Sequence, residues 1–412
     1  MTKNVVIIGG GISGKHAAEI LVKAKDLKVT VISANSFVEW SLAMTYVLTK
    51  PEVHEKFLSP NLAAYQVKGA DYKFGVVTKV DTASKEVLVN DGSKVPYDAL
   101  IVATGFDMPL ICAGAGISLS DRKAEIQKAA AAIKAAQTVV VAGGGPTGLE
   151  LAGDIRVAYP SKKIVLLCRD KILSQWPEQT RDLVTQGLKA QNIEVFSGVS
   201  EDAPTEPTLQ AGSCIAGGEK IAYDVFIPSY SQGPNTKFLH GSTGLLDNKG
   251  RIVVNEFLQS TKCPEIFAVG VSTVDEPFIG MPKLEAQWKS ATANTKALLS
   301  DKAMKKHSEG MPGMKLPPII QVGRGKGGWA NVDISQLPGP VKCCCCCGHG
   351  GFPCCPPPCC WPCCGPCCCG YCCGPSAGSG PAGFMGAIHG KFPGMHFKGW
   401  GETETAPLQQ TM

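Results

Sequence analysis

The sequence predicts a doubly wound α/β protein that contains two copies of a β-turn-α-β unit, and two observations carry this prediction. The segments NVVIIGGGISGKHAAEIL, from Asn4, and TVVVAGGGPTGLELAGDI, from Thr138, each run from apolar residues through Gly-x-Gly-x-x-Gly into an Ala-rich stretch. Each segment is followed by a second apolar run, KVTVIS from Lys28 and KIVLLC from Lys163. Short apolar runs of this kind are typical of strands that are buried in a parallel sheet.

Further strands lie between the two units, and a strand and a helix follow the second unit. The sequence KEVLVNDGSKVPYDALIVATG predicts a hairpin that turns at Asn90-Asp91-Gly92, followed by a strand from Ala99 to Ala103. The sequence EIFAVGVSTV predicts a strand that ends at Gly270, and KLEAQWKSATANTKALL has the pattern of a helix. Strands that alternate with helices in this way favour a parallel sheet.

Length and composition exclude several classes of protein. The chain has 412 residues, enough for two or three domains, and its 44% hydrophobic and 18% charged residues are typical of globular proteins. The net charge of +5 is mild and no basic block stands out, so we expect no nucleic acid as a partner. The sequence has neither an apolar run long enough for a transmembrane helix nor a secretory signal, which predicts a cytoplasmic protein.

The repeated glycines predict two dinucleotide sites. In such a turn the first glycine allows a tight bend, the second lets the backbone approach a pyrophosphate, and the third lets the helix pack against the strand. The phosphates then lie at the helix N-terminus, where unpaired amides and the helix dipole attract anions. The glycines concerned are Gly9, Gly11 and Gly14 in the first copy and Gly143, Gly145 and Gly148 in the second.

The order of motifs GGGISG, ATG, GGGPTGLE, QGPN and IFAVG resembles the flavoproteins with two dinucleotide-binding domains. More narrowly, it is similar to the apoptosis-inducing-factor-like, ferroptosis-suppressor branch and to the related type II NADH:quinone oxidoreductases. The resemblance covers roughly residues 4–340. It implies an FAD domain made of residues 1–120 and 240–303, an inserted NAD(P)H domain of residues 121–239, and a C-terminal region of residues 304–412.

The same resemblance implies an activity and its cofactors. Hydride would pass from NAD(P)H to FAD, and electrons would then pass to a quinone-like small molecule or another acceptor. The cofactors carry the reactive atoms, so the protein mainly positions them.

The resemblance also implies roles for individual residues. Gly9, Gly11 and Gly14 would hold the FAD pyrophosphate, with Thr104 and Gly105 against the FAD, and Gly143, Gly145 and Gly148 would hold the NAD(P)H pyrophosphate. Glu150 would point toward the nicotinamide and the flavin as the catalytic residue. The alternative for Glu150 is a carboxylate in the first helical turn, where the helix dipole also favours negative charge.

The sequence departs from the family pattern at three positions around the FAD. The strand KVTVIS ends in Ser33, where the family has an acidic residue for a ribose hydroxyl. Gly270 is retained, but Val271 follows it where the family has aspartate, and Gln232-Gly233 replaces Thr-Gly. A protein with weakened FAD binding that acts as a nucleotide sensor or a scaffold is therefore the alternative to an enzyme.

Three further residues have predicted roles. Arg169 follows the second strand of the second copy, where an arginine can accept the 2′-phosphate of NADPH, although a salt bridge with Asp170 would explain it equally. Glu39 and Trp40 lie where family members line the flavin, although a tryptophan at such a position is more often part of the core.

A cysteine string near the C-terminus stands apart from the rest of the chain. Sixteen of the twenty cysteines lie in residues 343–373, and the other four, Cys112, Cys168, Cys214 and Cys263, form no CxxC pair. The string reads as an insertion in the C-terminal region. Three interpretations compete: S-acylation that attaches the protein to a membrane, binding of zinc or copper by thiolates, and a low-complexity insert without function. The spacing suits a tetrahedral metal site poorly, so we assign no metal ligand and favour acylation.

Overall fold

A computed structural model describes residues 2–59, 65–176, 178–199, 202–241, 244–273 and 281–308, together with 319–321 and 327–329. The predicted cysteine-rich insert, residues 343–373, lies outside the described residues.

The described chain combines strands that alternate with helices and two longer runs of consecutive strands, β5 to β10 and β13 to β17. The strands are β1 (Lys3–Ile8), β2 (Leu27–Ser33), β3 (Val38–Glu39), β4 (Leu58–Ser59), β5 (Ala70–Phe74), β6 (Val77–Asp81), β7 (Glu86–Val89), β8 (Lys94–Pro96), β9 (Ala99–Val102), β10 (Phe106–Asp107), β11 (Thr138–Ala142), β12 (Lys163–Cys168), β13 (Ile193–Ser197), β14 (Gly212–Ala216), β15 (Glu219–Tyr223), β16 (Val225–Pro228), β17 (Gly233–Pro234), β18 (Ile266–Ala268), β19 (Ile319–Gln321) and β20 (Gly327–Trp329). The α-helices are α1 (Ile12–Leu21), α2 (Met44–Val47), α3 (Leu119–Ala135), α4 (Pro146–Ala158), α5 (Glu178–Ala190) and α6 (Met281–Leu299).

The chain divides into two compact units. Among the described residues, the first unit contains those in 1–41, 53–125 and 231–314, and the second contains those in 42–52, 126–230 and 315–412. The chain thus leaves the first unit, builds most of the second, and returns to the first.

The first unit is built on a parallel five-stranded sheet with the order β18-β9-β1-β2-β5. The last four residues of its central strand β1, Val5 to Ile8, are all apolar because both faces of the sheet are covered there. Val6 and Ile8 belong to one hydrophobic cluster and Val5 and Ile7 to another, and all four are buried. Side chains alternate between the faces of a strand, so each cluster fills one face.

The second unit repeats the plan with a parallel sheet in the order β13-β12-β11-β16. The antiparallel pair β14-β15 packs on one face of this sheet, where Cys214 and Tyr223 join the cluster that contains Val140 and Phe226. The parallel sheets in both units confirm the predicted α/β fold class. In each unit the carboxyl ends of the strands meet at one edge, which is where ligands bind in open α/β sheets.

Candidate functional site: two nucleotide-binding edges

The first glycine-rich turn connects β1 to α1 at the carboxyl edge of the first sheet. Gly9 has φ +112°, and a Cβ atom placed there would lie 2.4 Å from the carbonyl oxygen of Ala103. A Cβ on Gly14 would lie only 1.8 Å from the carbonyl oxygen of Gly9. Both contacts are with backbone atoms that cannot move aside, so any side chain at these two positions would displace the helix or the neighbouring strand.

Gly11 differs from these glycines because it faces open space. It is the N-cap residue of α1, no side chain caps the helix there, and no atom lies within 4 Å of a Cβ built on it. The first amides of a helix have no partner within the helix, and together with the dipole they attract an anion. The turn therefore leaves room for a phosphate group directly over free backbone donors.

The second glycine-rich turn, between β11 and α4, has the same geometry. Gly143 has φ +141° and lies against the carbonyl oxygen of Ser229, and a Cβ on Gly148 would lie 1.9 Å from the carbonyl oxygen of Gly143. Gly145 is the N-cap of α4, without a side-chain cap and with nothing within 4 Å of its Cβ position. The same steric demands thus recur in the second unit, as the repeated motif predicts.

A buried polar atom without a partner lies beside each turn. In the first unit it is Oγ1 of Thr104, just beyond β9, and in the second it is Oγ of Ser229, just beyond β16. Among the described residues neither hydroxyl has a hydrogen-bond partner, although a buried polar group without one is destabilising. Thr104 was predicted from the ATG motif, whereas Ser229 was missed; its position directly after an apolar strand was the available signal.

The backbone that follows Thr104 is held by the Gly-Pro-Asn turn. Asn235 donates from Nδ2 to the carbonyl oxygen of Thr104 at 3.2 Å and from its backbone amide to that of Gly105 at 3.1 Å. Gly105 has φ +68° and open space at its Cβ position. The antiparallel pair β10-β17 continues this contact, and the amide of Gln232 donates to the carbonyl oxygen of Asp107 at 2.8 Å.

The end of β2 uses its polar side chains within the protein. Ser33 lies against Gly10, and its Oγ donates to the carbonyl oxygen of Asn35 at 2.9 Å. The side-chain Nδ2 of Asn35 donates to the carbonyl oxygen of Gly114 at 3.0 Å, and its Oδ1 accepts from the backbone amide of Gly116 at 2.8 Å. The predicted contact of Ser33 with the FAD ribose stays a prediction. Because Oγ of Ser33 already donates its hydrogen, it would have to accept a hydrogen bond from the ribose hydroxyl.

Glu150 lies in the first turns of α4 and has an unusual carboxyl group. Burial, reinforced by the charge of Asp154, raises the pKa of Glu150 to about 8. Its carboxyl group is therefore protonated at neutral pH and can donate a hydrogen bond or a proton. Strongly shifted carboxyl groups of this kind are common at functional sites, and Glu150 stays our predicted catalytic residue.

Arg169 directly follows β12 and is exposed. Within the described part of the chain, no ion pair joins its guanidinium to Asp170 or to another carboxylate, so the salt-bridge alternative has no support there. The preceding residue, Cys168, is buried and packs against the Cβ position of Gly144 in the glycine-rich turn. Arg169 thus lies at the strand end that is next to the turn.

Glu39 and Trp40 have buried side chains. Glu39 is 5% exposed and accepts hydrogen bonds from Arg122, the shortest of 2.7 Å, and pairs with His54 at 2.6 Å. Burial by itself would raise the pKa of Glu39, but the hydrogen bonds from His54 and Arg122 and the charge of Arg122 hold it below its usual value. Trp40 is 5% exposed. These contacts favour the interpretation that the two residues belong to the core.

The four cysteines outside the string are all free thiols, Cys112, Cys168, Cys214 and Cys263. Burial raises the pKa of each thiol, to about 12 for Cys112. In the described residues no group of three or more His, Cys, Asp or Glu side chains is placed to hold a metal ion. Nor does any described helix combine the length and the apolar character that crossing a bilayer requires.

The residues at both edges fit the dinucleotides that the sequence predicts. Each turn offers free amides at a helix N-terminus, open space at the second glycine, and an unpartnered buried hydroxyl beside it. For FAD, Gly9, Gly11 and Gly14 would hold the pyrophosphate and Thr104 would bond to the cofactor.

Comparisons with known proteins agree with this geometry. The sequence pattern of the pyridine nucleotide-disulphide oxidoreductases matches residues 3–293. Oxidoreductase ptaL of Pestalotiopsis fici is 29% identical over 346 residues, which cover 79% of this chain and 90% of that protein. Ferroptosis suppressor protein 1 of Homo sapiens is 25% identical over 279 residues, or 65% of this chain and 73% of that protein. The sulfide:quinone oxidoreductase of Aquifex aeolicus shares the fold with a TM-score of 0.57 and 21% identity, over 78% of this chain and 82% of that one.

Proposed function

The chain belongs to the pyridine nucleotide-disulphide oxidoreductase family, and we propose that it passes electrons from NADPH through FAD to a quinone-like acceptor at a membrane surface. Membership of the family confirms the resemblance found in the sequence. The chain is accordingly an oxidoreductase whose cofactors are FAD and NAD(P)H. The donor preference, the acceptor and the membrane are the proposal.

One observation carries the two-nucleotide activity: the same glycine-rich turn, with the same free helix N-terminus, occurs in both units. When bound, FAD supplies the group that takes hydride from NAD(P)H and gives electrons to the acceptor. The protein's part is to bind the two pyrophosphates at Gly11 and Gly145 and to fix the orientation of both cofactors. The reaction NAD(P)H + H⁺ + quinone → NAD(P)⁺ + quinol balances with one proton taken up.

Glu150 is our candidate for handling that proton. Because the pKa of its carboxyl group is raised to about 8, Glu150 holds a proton at neutral pH and can release it when an anion develops nearby. A glutamate with an ordinary pKa would already have lost the proton at that pH.

The acceptor is proposed from the absence of a thiol relay within the described residues. The four thiols there are separate and unpaired, and burial keeps their pKa values high, so none is a reactive thiolate. Bound FAD would then give its electrons to the acceptor without a thiol relay, and a quinone can accept electrons in this way. The relative from Aquifex aeolicus is by its name a quinone oxidoreductase.

NADPH is proposed as the donor because of Arg169. An exposed guanidinium at the end of the second strand is suited to a 2′-phosphate, which it can bind through charge-assisted hydrogen bonds. No carboxylate among the described residues competes for it.

The membrane is proposed from the cysteine string, residues 343–373. Two or more acyl chains make membrane attachment stable, whereas one gives only weak and reversible binding. The string offers sixteen thiols for such attachment. Acylation there would hold the enzyme where a lipid-soluble acceptor is available.

The activity is tested by anaerobic reduction of the purified full-length chain. We expect flavin absorbance at purification, bleaching by NADPH, and recovery on addition of a short-chain quinone but not of oxidised glutathione. Bleaching without recovery by the quinone would contradict the acceptor. A chain that lacks flavin even after incubation with FAD would favour the alternative of a nucleotide sensor or a scaffold.

The membrane proposal is tested separately by fractionation of cells with and without hydroxylamine, which cleaves thioesters. We expect the membrane-bound fraction to fall after the treatment. A protein that stays out of the membrane fraction in both samples and carries stoichiometric zinc or copper would favour the metal interpretation of the string.

A further inference from the structure

The FAD edge of the first unit contains a buried glutamine that the sequence motifs do not predict. Strands β9 and β18 are paired in parallel up to Val102 and Ala268, and two residues further on lie Thr104 and Gly270. The amide of Val269 donates to the carbonyl oxygen of Val102 at 3.0 Å, which keeps the two chains together beyond the last pair. Gly270, the position after which the family has aspartate, therefore lies at the same level of the edge as Thr104.

Gln287, on α6, reaches this position. Its side chain is 5% exposed, and its Oε1 accepts the backbone N–H of Gly270 at 2.7 Å. The N–H can bond only to an acceptor, so this contact fixes the orientation of the amide and leaves its NH₂ end facing away from Gly270.

The NH₂ end of Gln287 has no acceptor among the described residues, although it carries two donors. Nε2 of Gln287 is not one of the fully buried polar atoms that lack a partner, so this donor is accessible at the edge. The unpartnered Oγ1 of Thr104 belongs to the same edge. An accessible amide donor and an unpartnered buried hydroxyl at one edge indicate a ligand that bonds to both.

We propose that Gln287 is an FAD-binding residue that donates a hydrogen bond to an oxygen of the ribityl–phosphate part of the cofactor. It takes over the polar contact that Val271 cannot make. An amide donor also suits the negative charge of the pyrophosphate without the repulsion that a carboxylate would add. The inference concerns the FAD cofactor only and does not depend on the quinone or on NADPH.

The experiment measures FAD affinity in the full-length apoprotein, by quenching of flavin fluorescence. Gln287→Glu keeps an oxygen for the amide of Gly270 but loses the donors, and Gln287→Met loses both without adding charge. We expect each variant to bind FAD about 5- to 150-fold more weakly, the equivalent of one lost hydrogen bond to a buried partner. Urea unfolding without FAD should change for Gln287→Met and little for Gln287→Glu.

Gln259 provides a matched control in the same unit. It is also buried, at 7% exposed, but both ends of its amide are bonded within the protein: Nε2 donates to the carbonyl oxygen of Pro264 at 2.6 Å and Oε1 accepts from Asn255 at 3.0 Å. Gln259→Glu should therefore destabilise the apoprotein and leave the FAD dissociation constant unchanged.

Normal FAD affinity in either Gln287 variant would overturn the inference, and so would an equal loss of affinity in Gln259→Glu. A wild-type chain that binds no FAD would overturn the inference and the proposed activity together. The FAD dissociation constant is measured without a quinone, so it can be interpreted even if the proposed acceptor is wrong.

Discussion

Replacing Glu39 by glutamine should destabilise the first unit far more than a surface charge change of the same kind. Arg122 is fully buried, and three of its hydrogen bonds go to Glu39, at 2.7, 3.1 and 3.2 Å. In Glu39→Gln the new amide NH₂ would face these donors, and the buried guanidinium would keep only Glu125 and the carbonyl oxygen of Leu110. Removing one partner of a buried ion pair costs about 3–5 kcal/mol, because the other charge is left uncompensated.

The assay is urea unfolding of the full-length chain at a fixed FAD concentration, since bound FAD itself stabilises the fold. The exposed pair Glu86–Lys94, at 3.3 Å with side chains 28% and 60% exposed, provides the control. Glu86→Gln should lower the free energy of unfolding by about 0–1 kcal/mol, as is usual for surface pairs.

A double-mutant cycle separates the ion pair from general damage to the core. Arg122→Met alone should also be destabilising because it leaves Glu39 buried beside His54 with less compensation. The double variant should be more stable than the sum of the two losses predicts, since neutral replacements of both partners remove the uncompensated charge. Additive losses, or a loss in Glu39→Gln no larger than in Glu86→Gln, would refute the reasoning.

The effect of Glu39 should depend on pH with a defined sign. The pKa of Glu39 in the folded protein lies below its ordinary value of 4.5, so the folded state binds this proton less readily than the unfolded state. The stability from the ionised carboxylate is then fully present above the unfolded pKa and is lost as the pH falls through the folded value. The difference between wild type and Glu39→Gln should therefore shrink in acid.

Three further predictions concern the nucleotide edges. Gly11→Val should fold but purify without FAD, because the new side chain occupies the open space that the phosphate needs. Gly14→Ala should lower the free energy of unfolding, because its Cβ atom would strike the backbone of Gly9. Flavin content and urea unfolding distinguish the two variants, and a reversed pattern would contradict the site. Arg169→Ala should raise the KM for NADPH about tenfold, the loss of roughly 1.4 kcal/mol, and leave that for NADH unchanged in steady-state kinetics; equal effects would place Arg169 outside the ribose pocket. The wild-type kcat/KM should fall as the pH rises through about 8, where Glu150 ionises, and the Glu150→Gln profile should lack that limb; parallel profiles would remove Glu150 from the proton path.

The sequence by itself determined the two parallel sheets and the turns that bind phosphate. These features depend on local constraints that each residue type expresses directly. Gly9 and Gly14 are needed because a Cβ atom at either would strike backbone atoms of the same turn or the next strand, and the apolar runs of β1 and β9 record burial on both faces. The spacing of these residue types along the chain is therefore enough to predict the turns and the buried strands.

Only the tertiary structure decided which partner each polar side chain takes. Glu39 accepts hydrogen bonds from Arg122, which is 83 residues away in the sequence. Gln287 accepts a hydrogen bond from the backbone amide of Gly270, 17 residues earlier. Oγ of Ser33 donates to the backbone carbonyl oxygen of Asn35, and its predicted contact with the ribose stays a prediction. The physical reason is that burial makes pairing obligatory without specifying the partner, so the choice falls to whatever group the packing of the sheet and its helices brings within 3 Å or so.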